Sequence, residues 1–104
     1  MQEHNKLVRD NIPEIISKNG GTAHIRRLDD DSEYIVELTK KLIEEAHEVA
    51  AAPSLEELAD VREVLDALTK ALGYSKEELQ SAQDKKVTKN GAFNDRIYLI
   101  KTEN

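Results

Sequence analysis

The sequence predicts a mainly α protein, an antiparallel bundle of helices in one domain. Three observations predict it. Charged residues are 35% of the 104-residue chain and aromatic residues 4%, with no Trp; this is a soluble, helix-rich composition whose core must be aliphatic. Two stretches carry apolar residues three and four apart, Ile35, Leu38, Leu42 and Val49 in the first, and Leu58, Val61, Val64, Leu65, Leu68 and Leu72 in the second. Only Ala52-Pro53-Ser54 separates them, and so short a connection makes consecutive helices antiparallel.

Taken in order, residues 1–5 are polar and expected to fray. A loop over Leu7–Ile12 leads to a short helix from Pro13 to Lys18, with proline in the first turn, where its missing N–H costs nothing. Asn19-Gly20-Gly21 ends it. Thr22–Leu28 alternates weakly and predicts a short strand, whose natural partner is the run Ile97-Tyr98-Leu99-Ile100. The expectation is a small two-stranded β ribbon of about 22–28 with 96–101, packed on the helices because an isolated ribbon is marginal. Asp30 with Glu33, or Ser32, caps the long helix that follows, and the acids suit its positive end. That helix runs to about Ala52, because the residue before proline is pushed out of helical space. Gly73 ends the next helix, and Ser75-x-x-Glu78 opens a third as a capping box. The third, about Lys76–Lys89, has a thin apolar stripe of Leu79, Ala82 and Val87. Asn90-Gly91 suits a left-handed turn, and Phe93 is expected to anchor the core.

The composition also narrows the partners. A net charge of −6 argues against a nucleic-acid polymer, although a metal ion and a few local cations can reverse the field for a nucleotide. Without cysteine there is neither a disulfide nor a thiolate zinc site. No signal peptide, lipidation motif or membrane-length apolar run is evident, consistent with the cytoplasm and with no membrane partner. The scarcity of large apolar residues predicts a homodimer or a dimer of dimers, which buries more helix surface.

The seam of the first long helix reaches residue 45 and finds Glu45 there, with Glu44 and Glu48 on the same flank. At about 100° per residue, Glu57 falls inside the apolar arc of the second helix and Asp60 lies at its edge. A lone buried carboxylate prefers to take up a proton, and Glu44 and Glu48, four apart, repel each other. Several carboxylates facing one cleft become favourable around a hard divalent cation, which points to Mg²⁺, with Mn²⁺ as the alternative ion. Two simpler readings stand beside this one. Ser54-x-x-Glu57 is also a capping box, and Glu44 and Glu48 can be a solvated face paired with Lys40 and Lys41.

Glu44-Glu45-x-x-Glu48 followed by Glu57-x-x-Asp60 resembles the EExxE…ExxD signature of the all-α nucleoside triphosphate pyrophosphatases. That superfamily includes MazG-like, dimeric dUTPase-like and phosphoribosyl-ATP pyrophosphohydrolase-like proteins. Lys6-Leu-Val-Arg-Asp-Asn-Ile-Pro13 is similar to the opening of their short, stand-alone members. Lys89-Asn-Gly-Ala-Phe93 with Arg96-Ile-Tyr-Leu99 resembles their closing segment, with Ala92 where a second glycine is expected. The resemblance implies a single MazG-like domain over 1–104 and hydrolysis between the α and β phosphates of a nucleoside triphosphate or related small nucleotide. The products would be a monophosphate and pyrophosphate, in a house-cleaning role against non-standard nucleotides.

On that reading Glu45, Glu48, Glu57 and Asp60 hold the metal, and Glu44 or Glu45 orients or deprotonates the attacking water. Lys86, Lys89 and Arg96 form an electropositive rim for the phosphates, or the lysines only complement the helix dipole. Lys6 and Arg9 either reach a phosphate or are surface charges. The competing readings of the whole chain are a nucleotide or metal sensor without turnover and a non-catalytic helical interaction module.

Overall fold

A computed structural model of the protein describes residues 2–104. Its regular structure is helical: α1 (Ile12–Lys18), α2 (Asp31–Ala51), α3 (Leu55–Ala71) and α4 (Lys76–Asn90). The boundaries follow from local chemistry. Asp30 stays extended and its carboxylate accepts the Ser32 N–H at 2.8 Å, opening α2. At the other end Ala52 leaves helical space (φ −153°) ahead of Pro53. Ser54 Oγ accepts the Glu57 N–H at 3.1 Å and opens α3. Gly73, at φ +89°, closes it in the left-handed conformation that glycine adopts without strain. Its neighbour Tyr74 donates its N–H back to the Thr69 carbonyl, and Ser75 and Glu78 then form a complete capping box at the start of α4.

The packed centre is the α2–α3 hairpin. Leu38 is its innermost residue at 3% exposure, surrounded by half-buried Ile35, Leu42 and Val49 from α2 and Val61, Val64 and Leu68 from α3. Thr69 is buried as well, and its hydroxyl donates to the Leu65 carbonyl at 2.7 Å, so no polar atom is stranded. The apolar arc of α3 is divided. Val61, Val64 and Leu68 are half-buried, whereas Leu58, Leu65 and Leu72, seven residues apart, are exposed.

Two expectations are corrected. Residues 22–28 and 96–101 form no ribbon, and no strand occurs among the described residues. The first segment is tied to α2 instead, through an Arg26–Glu33 ion pair at 2.7 Å. The second continues from α4, with Ile97 and Tyr98 85% and 88% exposed. A lone pair of strands gains too little to offset the ordering of a long connection. Phe93 is likewise not a core anchor, being 97% exposed. Among the described residues no helix is long and apolar enough to cross a membrane.

Because one leucine dominates so small a centre, Leu38→Ala should lower unfolding free energy by about 2–5 kcal/mol. Urea denaturation followed by circular dichroism measures this, and a loss below about 1 kcal/mol would show that the seam is packed too loosely to stabilise the hairpin.

Candidate functional site

The short connection between α2 and α3 sets the last turns of one helix beside the first turns of the next. Glu45 lies seven residues after Leu38 and Glu57 seven before Val64, so both share the inward direction of the apolar seam. Glu45, Glu57 and Asp60 are half-buried, and each offers a carboxylate oxygen within 4.8 Å of those of the others. Glu45 is the most enclosed of the acids that have an ionic partner, its side chain 13% exposed.

Glu57 is not consumed by capping. Ser54 receives the Glu57 backbone N–H, but the return bond, formed by Glu78 at the start of α4, has no counterpart from the Glu57 carboxylate among the described residues. The carboxylate is left toward the other acids. Partial burial raises its pKa above the ordinary glutamate value, and the charges of Glu48, Asp60 and Glu45 raise it further. Glu48 is exposed and outside the group of three, yet it is the leading charge acting on Glu57.

Three cations stand against these acids. Lys41 Nζ lies 3.4 Å from Glu44 and 3.8 Å from Glu45. Lys6 Nζ is 3.8 Å from Glu44. Arg9 Nη2 donates to Asp60 at 2.6 Å, a charge-assisted bond that draws the segment before α1 onto the hairpin. Five carboxylates thus meet three cations, and two negative charges remain uncompensated. Hard oxygen donors with that residual charge fit a divalent cation, with Glu45, Glu57 and Asp60 as the ligand set.

The other residues singled out from the sequence lie elsewhere. Lys86 and Lys89 are exposed on α4, Arg96 is exposed beyond it, and among the described residues none pairs with the acids. Arg96 adopts a left-handed backbone (φ +59°), and its N–H donates to the Phe93 carbonyl at 3.2 Å. His47 and His24 are exposed, as their positions suggested. The pairing of Arg9 with an acid was not foreseen, and with 51 residues between Arg9 and Asp60 no local pattern could signal it. The Lys41 contacts had a signal, since Lys41 precedes Glu44 and Glu45 by three and four residues.

No protein-family model matches the chain, and no solved structure matches it. An uncharacterized protein of Mycolicibacterium smegmatis is 53% identical over 47 residues, which is 45% of this chain and 47% of that protein. The chain therefore matches about half the length of that relative.

The raised pKa of Glu57 has a definite sign. A carboxyl that binds its proton more tightly folded than unfolded contributes stability below its unfolded pKa, about 4.3, and that contribution is lost as pH rises through the folded value. In metal-free buffer, Glu57→Gln should therefore melt above the wild type at pH 7. The gap should close as the buffer is taken below the ordinary glutamate pKa. Thermal melts in chelator across that range measure it, and a gap independent of pH would mean that Glu57 does not feel its neighbours.

Proposed function

We propose that this protein is a Mg²⁺-dependent nucleoside triphosphate pyrophosphohydrolase of the all-α, MazG-like kind. It would cleave between the α and β phosphates and act on non-standard nucleotides. The single observation that carries the reading is the convergence of Glu45, Glu57 and Asp60 across the α2–α3 connection. Those residues are the acids of the EExxE…ExxD pattern, and the pattern was read from sequence without reference to where the side chains meet.

In this reading Glu45, Glu57 and Asp60 hold the metal and Glu48 completes the set from the rim. Bound Mg²⁺ would neutralise phosphate charge and make a coordinated water more acidic. Glu44, already beside Lys41 and Lys6, is the adjoining carboxylate available to orient or deprotonate water, with Glu45 as the alternative. Lys6 and Arg9 stand against the acids and are the first cations a bound phosphate would meet; Arg9 would exchange Asp60 for a phosphate oxygen. Lys86, Lys89 and Arg96 would contribute from α4 and the segment after it only if a bound nucleotide or another copy brings them near.

One observation favours a second reading. Glu44, Glu45 and Asp60 already have cationic partners within the chain, as expected of a non-catalytic sensor or interaction module. Incubation of the full chain with a nucleoside triphosphate panel and Mg²⁺, followed by pyrophosphate detection, separates them. The enzyme should release pyrophosphate, and Glu48→Gln or Asp60→Asn should reduce release by about 100-fold or more, since removing a group that only supports a metal ligand already costs about 10–100-fold. Mg²⁺-dependent nucleotide binding without release would establish the sensor, and neither behaviour would leave the module.

A further inference from the structure

The C-terminal third of the chain has no packing partner of its own. Every residue from Leu72 to Asn104 is exposed, yet this segment carries Leu79, Val87, Phe93, Ile97, Leu99 and Ile100. The helix α4 buries none of its residues. The molecule is 61 Å long, well beyond the roughly 31 Å of α2 at about 1.5 Å per residue, so the C-terminal third projects past the hairpin. Its departure is fixed: the Tyr74 N–H is bonded to Thr69, and the capping box at Ser75 sets the first turn of α4.

The hairpin has a matching uncovered face. Val36 and Ile43 on α2, and Leu58, Leu65 and Leu72 on α3, are exposed at seven-residue spacing. Stepping about 100° per residue from the buried seam, both rows turn to the same side of the antiparallel pair. Glu44 and Asp60, with the Lys6 and Arg9 that contact them, turn to the other side.

Areas decide what covers both. The accessible surface is 9682 Å², against about 5,900 Å² for a compact monomer of this mass, an excess of roughly 3,800 Å². A face-to-face contact of the obligate class removes about 1,000–2,500 Å² from each partner, which falls short of that excess. Exchange of a whole segment, covered on several sides at once, accounts for more. Folding back within one chain is a poor alternative. Ten extended residues span about 33 Å, and about 22 Å of that is needed to retrace α4. The run after Gly91 would then reach only the near end of its own face.

We infer that the protein is a segment-exchanged homodimer, in which α4 and the run Phe93–Ile100 of each copy pack on the Val36–Ile43 and Leu58–Leu65–Leu72 rows of the other. The occupant is a second copy because the arm and the face are both apolar, both present in every chain, and unmatched within one chain. This exchange stands apart from the nucleotide chemistry proposed above. It holds or fails whether or not pyrophosphate is released.

Sedimentation equilibrium and cross-linking test it on the full chain. The wild type should sediment at twice 11.7 kDa. Ile43→Lys, on the face, and Ile97→Asp, on the arm, should each shift it to the single-chain mass while keeping helical circular dichroism. Both positions are exposed in one chain, so neither substitution should prevent folding. For the exchange itself, a benzophenone amino acid at position 98 is activated in a re-equilibrated equal mixture of ¹⁵N-labelled and unlabelled protein. Products joining position 98 to α2 or α3 peptides should pair heavy with light chains as often as like with like. A wild type at the single-chain mass overturns the inference. So does a dimer unmoved by either substitution, and so do cross-links confined within one chain, which would show the arm folded back on its own hairpin.

Discussion

The structure depends on a conflict within one seam. The facing sides of α2 and α3 must bury enough aliphatic surface to hold the hairpin, yet near the connection the same direction is occupied by Glu45 and Glu57. Burial at that end is incomplete for a physical reason. A carboxylate surrounded by apolar atoms would lose its charge or require a partner, so the seam narrows to Leu38 and its neighbours and opens around the acids. The hairpin stays closed at the acidic end because Lys41, Lys6 and Arg9 offset part of the repulsion.

Those cations also order the N-terminal part of the chain. With α1 only seven residues long and burying none of them, the segment before it has few apolar contacts to fix it, and the Arg9–Asp60 bond supplies a specific one. The same bond joins the opening of the chain to the candidate site across 51 residues. A divalent ion and a phosphate would redistribute these contacts without changing the hairpin. The candidate site and the N-terminal segment are therefore coupled by charge more than by packing.

The uncovered surface reflects the same shortage of apolar residues. A seam shared with carboxylates cannot also absorb the second rows on α2 and α3 or the apolar run after α4. These surfaces are large, regularly spaced and lie on the side away from Lys6 and Arg9. A second copy can cover them without blocking access to the acids.

Much of this was written in the sequence. The helix boundaries were legible because they depend on neighbours: Asp30 before α2, Pro53 and Ser54 between α2 and α3, Gly73, and the Ser75–Glu78 box. Seven-residue spacing placed Leu38, Glu45 and Glu57 on inward faces, because helical rotation is the same in any context. Tertiary structure alone decided the rest. It showed that the Glu57 carboxylate is free of its cap and that Arg9 meets Asp60. It showed that Thr22–Leu28 and Arg96–Lys101 do not pair, and that Phe93 and the outer row of α3 stay uncovered. Each of these depends on what lies opposite a residue far away in the chain, and periodicity gives the direction of a side chain without saying what stands in front of it.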